Sequence, residues 1–113
     1  MKLNRSENNT MKTKITEIIQ RIKNKHVNDP TVSEDKDQIT EMILHNVEES
    51  IPAINSLDED SLEWISSRFE EISYQLQNKK FIECLQDILI RFSKNVTLKN
   101  DVQDAVEAYY GNE

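Results

Sequence analysis

The stretch from Leu57 to Gln77 constrains the fold of this chain more than any other. Its apolar residues recur at alternating spacings of three and four, which places them on one face of an α-helix: Leu62, Ile65, Phe69, Ile72 and Leu76. Asp58 stands where a helix N-cap is expected, and Leu57 and Leu62 can pack around it as a hydrophobic staple. The pattern predicts one central amphipathic helix with an apolar seam.

The scarcity of turn residues favours helices in the rest of the chain as well. Only one glycine and two prolines occur in 113 residues, whereas sandwiches and barrels need many turn glycines. The single glycine, Gly111, stands near the end of the sequence and leaves no glycine-rich phosphate-binding loop.

Four further helices are expected around the central one. We predict a first helix from Met11 to about His26 and a second that Ser33 caps, separated by a turn at Asn28-Asp29-Pro30. Two alternatives stay open at Ser50-Ile51-Pro52. Either Pro52 opens a short helical turn, which is the preferred interpretation, or the second helix continues with a kink.

The last two helices have the clearest boundary signals. Asn78 is placed to cap a strongly apolar helix over Lys79 to Ser93. A final helix is expected after Leu98, with Asn100 as its cap and Gly111 ending it in the left-handed conformation.

The expected class is therefore all-α, a compact bundle of about five antiparallel helices or a short stack of helical hairpins. A single domain is expected over residues 11–113. Residues 1–10 are polar and lack periodicity, so they are expected to form a disordered arm, and Met11 is an alternative start.

A cytoplasmic location is the expectation from composition. Cys84 is the only cysteine, so no intramolecular disulfide can form, which suits a reducing compartment. No apolar run approaches the roughly 18 residues that a membrane span needs.

The residues of the chain supply no recognisable catalytic motif. Cys84 lies within an apolar helix, and His26 and His45 are isolated, so no nucleophile and base share a local spacing. Adjacent carboxylates on a helix point about 100° apart and do not converge. We therefore expect no enzyme, no cofactor and no metal site.

Charge is the most distinctive property of the sequence. Residues 1–30 hold seven lysines and arginines against three acids, whereas residues 31–113 hold seven against eighteen. Twelve acids and only two bases, Lys36 and Arg68, lie between Glu34 and Glu71. Such a body repels nucleic acid and favours a cationic protein partner, although acidity also serves simply to keep a small protein soluble.

The central helix is the expected contact surface for such a partner. On ideal helix geometry its outer side carries five acids and an exposed tyrosine, and a tryptophan lies at the edge of the seam: Glu59, Asp60, Glu63, Glu70, Glu71, Tyr74 and Trp64. Acids steer an encounter, and aromatic side chains supply buried contact area. Trp64 fits a core edge as well as an interface. Tyr109 is expected to pack and Tyr110 to be exposed.

Two segments of the chain resemble small all-helical immunity proteins of bacterial toxin–immunity systems, including those of contact-dependent inhibition. They are SLEWISSRFEEISYQLQNKKFIECLQDILIRF and VQDAVEAYYG, about half of the chain. The resemblance implies a specific antagonist of a cognate toxin, often a cationic nuclease, that covers the active site or blocks access to nucleic acid. The resemblance does not assign the binding residues of these families to any position of this sequence.

The first functional hypothesis is therefore an inhibitory binding protein with an acidic face. One alternative is a structural or adaptor protein that self-assembles through a helical face. Another is a phage-derived decoy that imitates DNA, which shares the same electrostatics and differs only in its partner.

Overall fold

Residues 10–111 are described by the computed structural model, and they are helical without a single strand. In chain order the elements are α1 Thr10–Lys23, α2 Thr31–His45, α3 Val47–Asn55, α4 Glu59–Ile65, a 3₁₀ turn Ser66–Arg68, α5 Phe69–Leu76, α6 Lys79–Arg91 and α7 Val96–Tyr110. The predicted all-α class is confirmed. The predicted N-terminal arm lies outside the described residues, except for Thr10, which begins α1.

The number of helices differs from the five expected. If the central segment α4–3₁₀–α5 is taken as one, six helical segments occupy residues 10–111. The additional helix arises because the predicted second helix ends at His45, and Asn46 adopts a non-helical conformation (φ −152°, ψ 66°) before α3. The expected break at Pro52 is wrong, because Pro52 lies inside α3.

Side-chain capping explains most of the helix starts. Asp58 accepts a hydrogen bond from Ser61 N at 2.9 Å, and Asn78 accepts one from Phe81 N at 3.0 Å, which confirms both predicted caps. The start predicted for α2 is wrong. It begins at Thr31, whose N–H donates to Asp29 Oδ1 at 2.8 Å, so Asp29 rather than Ser33 satisfies the first turn.

The boundaries of α7 also differ from the prediction. Asn95 caps it by accepting a hydrogen bond from Leu98 N at 3.0 Å, and Asn100 lies inside the helix. Gly111 is right-handed (φ −69°) rather than left-handed. Glycine still suits this position, because a Cβ would lie 2.8 Å from the carbonyl oxygen of Glu107.

The apolar seam of the central segment forms the middle of the core. Leu62, Ile65, Phe69 and Ile72 are buried, and Leu76 is half-buried. Phe69 meets Phe81 of α6 edge to face, with 6.4 Å between ring centroids. The burial predicted from the spacing is therefore correct for four of the five seam residues.

Two buried serines connect the central segment to α7. Their contacts could not be predicted from the spacing of residues in the sequence. Ser66 Oγ donates to Asp101 Oδ2 at 2.5 Å, and Ser73 Oγ donates to the carbonyl oxygen of Ala105 at 2.6 Å. These small side chains allow the two helices to approach closely, and α5–α7 is the largest helix interface in the described part of the chain.

The helices do not all pack antiparallel. Lys25 bonds Thr31 while Arg21 bonds Gln38, so α1 and α2 run in opposite directions. The hydrogen bonds between the central segment and α7 join residues 32 to 36 apart, and their order is the same along both. These two elements therefore run in the same direction, and uniformly antiparallel packing is not confirmed.

Candidate protein-binding surface

Asn95 organises the first acidic part of the surface, the Glu59–Glu63 pair. Its Nδ2 donates to Glu59 Oε2 at 2.8 Å and to Glu63 Oε2 at 2.6 Å, while its Oδ1 caps α7. Because both carboxylates bond one nitrogen, two negative charges are held close together at the exposed surface of α4. A neutral amide orients these charges without neutralising them.

Asp60 differs from its two neighbours. Its Oδ2 forms an ion pair with Lys23 Nζ at 2.5 Å, which links α4 to the last turn of α1. Asp60 was expected among the partner-binding acids. Its charge is already compensated within the molecule, so it is a poorer contact for a cationic partner than Glu59 or Glu63.

Glu70, Glu71 and Tyr74 form a second group on α5, beyond the 3₁₀ turn. All three are exposed, and Glu71 Oε2 accepts a hydrogen bond from Gln75 Nε2 at 3.3 Å. A 3₁₀ turn advances by 120° per residue instead of 100°, so three residues add about 60° of rotation. The two acidic groups therefore do not share the single straight stripe that an ideal helix would give.

The aromatic residues divide between core and surface. Tyr74 is 56% exposed and Tyr110 is 50% exposed, in agreement with the sequence analysis. Trp64 is half-buried and packs against the core, as does Tyr109. Of the two alternatives for Trp64, its position in the fold therefore matches the one in which it covers an edge of the core. Tyr74 is the aromatic side chain of the central segment that would be accessible to a partner.

Several acids of the Glu34–Glu71 stretch form ion pairs with bases of the same chain. Asp35 is buried and pairs with Lys25 Nζ at 2.6 Å and with Arg21 Nη2 at 3.0 Å. Asp37 pairs with Arg68 Nη1 at 2.5 Å. The unpaired negative charge at the surface is thus smaller than the count of acids in the sequence suggests.

The histidines and the cysteine do not come together. His26 Nδ1 accepts from Asn28 N in the α1–α2 turn, and His45 Nδ1 lies 2.8 Å from the carbonyl oxygen of Glu41. Cys84 is buried against α3, with its Sγ 3.4 Å from Asn55 Oδ1. Burial raises the pKa of the Cys84 thiol to about 12, so the nucleophilic thiolate is scarce near neutral pH.

Two structural features are absent from residues 10–111. No group of three or more histidine, cysteine, aspartate or glutamate side chains is arranged to hold a metal ion. No helix in this range has the length and apolarity needed to cross a membrane.

Comparison with protein-family models, with curated proteins and with solved structures returns no match for the chain.

Proposed function

We propose that this protein is an inhibitory binding protein, an immunity protein that neutralises a cognate cationic bacterial toxin with a nuclease domain. The observation that carries the proposal is the Glu59–Glu63 pair, which Asn95 orients. Neither glutamate forms an ion pair with a lysine or arginine of residues 10–111. Two fixed carboxylates at the surface are a ready ligand for a cationic side chain of a partner.

The energetics of the pair favour such a partner. Like charges held close together repel each other, and a lysine or arginine from a partner would relieve that repulsion. Because Asn95 already fixes the two side chains, less rotamer entropy is lost on binding than for free glutamates. Arginine would be the best match, since its guanidinium can bond two carboxylates at once.

The neighbouring residues supply the remaining parts of an interface. Tyr74, on α5, offers an exposed aromatic ring, and Glu70 and Glu71 add charge beside it. Aromatic residues commonly provide much of the contact energy in protein interfaces, whereas surrounding charges mainly raise the association rate. In this mechanism the acidic side chains bind the cationic groups with which the toxin holds phosphates. Nucleic acid is thereby excluded from that part of the toxin.

Charge reversal tests the proposal once a toxin has been captured from the native host at low salt. We expect Glu59→Lys/Glu63→Lys to slow association at least about tenfold, because steering and direct ion pairs are lost together. The matched control is Glu83→Lys/Asp87→Lys, which reverses two exposed acids with the same spacing on α6. It should slow association no more than about threefold.

Stopped-flow association kinetics at several salt concentrations distinguish the outcomes. Equal slowing in both double variants would mean that only net charge matters, and the α4 surface would no longer be the contact. Failure to recover any basic protein partner would contradict the proposed function itself. Circular dichroism confirms that each variant is folded before its kinetics are compared.

Self-assembly is a second candidate, supported by a different observation. Ile90 and Val96 are apolar and largely exposed, and they lie on either side of the short connection between α6 and α7. Exposed apolar residues of this kind can mark an interface between copies. Light scattering separates the two candidates, because self-assembly requires a mass that rises with protein concentration.

A further inference from the structure

A surface cleft of about 350 Å³ lies between the α1–α2 turn and the 3₁₀ turn of the central segment. Residues 27–36 form one side of it and residues 67–68 the other. Lys36 and Arg68, the only two bases between Glu34 and Glu71, both line this cleft. In the most acidic part of the chain, the fold therefore brings its two cations together.

Lys36 has an ammonium group that is available to a ligand. The side chain is half-buried, and it forms no ion pair with any acid of residues 10–111. Burial, and then the positive charge of Arg68, lowers the pKa of Lys36. Asp101 attracts it weakly, but the Asp101 carboxylate accepts a hydrogen bond from Ser66. An anion in the cleft would compensate a charge that the fold leaves uncompensated.

Arg68 is oriented toward the same space. Its Nη1 donates to Asp37, and its Nη2 lies 3.3 Å from the carbonyl oxygen of Ser33 and 3.4 Å from Ser33 Oγ. The two long contacts are weak hydrogen bonds. The guanidinium is thus held in place by one strong bond, and a better acceptor could replace the weak ones.

Two carboxylates near the cleft limit its positive potential. Asp29 lines it, but its Oδ1 is engaged by Thr31 N at 2.8 Å and Thr31 Oγ1 at 2.6 Å. Asp37 lies on the opposite edge of Arg68 and is well exposed. The hydrogen bonds to Asp29 do not remove its negative charge, and Asp37 offsets the charge of Arg68, so we expect the affinity for an anion to be weak. The donors left for an incoming anion are Lys36, the weakly bonded Nη2 of Arg68 and the serine hydroxyls.

We propose that this cleft binds a phosphate monoester. Lys36 and Arg68 can both donate to a phosphoryl group, and the hydroxyls of Ser33 and Ser67 can donate to its remaining oxygens, whereas a carboxylate would use fewer donors. Val27, which is 83% exposed, lies with Pro30 and Val32 along one wall and offers an apolar surface for the esterified group. This inference does not depend on the proposed function.

An NMR titration of the full chain tests the proposal with two probes, inorganic phosphate and phenyl phosphate, at constant ionic strength. We expect amide shifts confined to residues 27–36 and 67–68, and tighter binding of phenyl phosphate because its ring can contact Val27. Lys36→Gln should weaken binding about tenfold, since a charge-assisted bond is lost. Lys99→Gln, on the exposed surface of α7, is the matched control and should bind as the parent does.

The same titration can overturn the proposal in three ways. Shifts spread over lysines elsewhere would show non-specific ion binding. Unchanged affinity in Lys36→Gln would remove the cleft as the site, and equal affinity for both probes would contradict an ester as the ligand. Ser67→Ala removes only an exposed hydroxyl and should weaken binding a few-fold, which keeps the test valid if Lys36→Gln fails to fold.

Discussion

Asn95 has two roles in this molecule, a local one as the cap of α7 and a tertiary one as the donor to Glu59 and Glu63. Asn100 was expected to cap the last helix, but Asn95 caps it, five residues earlier. Leu98, whose N–H donates to Asn95, is fully buried, so the capped turn is also anchored in the core. The contacts of Asn95 with Glu59 and Glu63 have no signature in local spacing.

We expect Asn95→Ala to lower the free energy of unfolding by about 1–2 kcal/mol, because a helix cap is lost. Asn100→Ala is the matched control, since it replaces an exposed asparagine inside the same helix and should change the value by no more than about 0.5 kcal/mol. Urea denaturation measures both. A larger loss for Asn100→Ala would contradict the cap assignment.

At the scale of the elements, the boundaries that could be predicted are those fixed by neighbouring residues. Asp58 and Asn78 cap their helices as local rules require. Pro52 was expected to break the helix, but it lies inside α3, where it has no N–H to donate to the carbonyl oxygen of Glu48 and its own carbonyl accepts from Ser56 N. The Lys36–Arg68 cleft joins a residue of α2 to one of the 3₁₀ turn, so no local pattern could indicate it.

The contact between α1 and α2 depends on the buried carboxylate of Asp35. Lys25 first, and then Arg21, hold its pKa below the usual value of 3.8, against the effect of burial. The ionised form is therefore favoured in the folded state. The contribution of the ionised Asp35 to the free energy of unfolding is present above about pH 3.8 and is lost as the pH falls through the lower folded-state pKa of Asp35.

We expect Asp35→Asn to destabilise the protein by about 1–2 kcal/mol at neutral pH, since two cations lose a buried partner. The difference from the parent should shrink as the pH falls below 3.8. Asp37→Asn, which removes an exposed partner of Arg68, should cost no more than about 1 kcal/mol. Thermal unfolding of each variant and of the parent, measured from neutral pH to below pH 3.8, tests this prediction. A difference in stability between Asp35→Asn and the parent that does not change with pH would refute the role of the Asp35 charge.

At the scale of the whole molecule, the helical class and the central seam followed from periodicity, but the relative directions of the helices did not. Parallel neighbours arise because α6 returns the chain between the central segment and α7. A Cα radius of gyration of 14.0 Å is close to the roughly 13 Å expected for one domain of this length. Cys84 of α6 is buried against α3, so the rate at which its thiol reacts can measure the opening of the fold.

We expect the Cys84 thiol to react with a disulfide reagent only through unfolding, because burial excludes the reagent and raises the thiol pKa to about 12. The labelling rate should rise with urea in parallel with the unfolded population. A Ser93→Cys/Cys84→Ser variant, with its thiol on the surface after α6, is the control and should react at once. Fast labelling of the parent in water would show that α3 and α6 separate locally.

Cys84 of α6 lies against Ile51 of α3, 33 residues earlier, and the hydrogen bonds between the central segment and α7 join residues 32 to 36 apart. Both sets of contacts join helical segments that another segment separates in the chain. Such contacts raise the average sequence separation of touching residues above that of a bundle in which only consecutive helices meet. Because folding slows as this separation grows, the protein should fold more slowly than such a bundle of the same length.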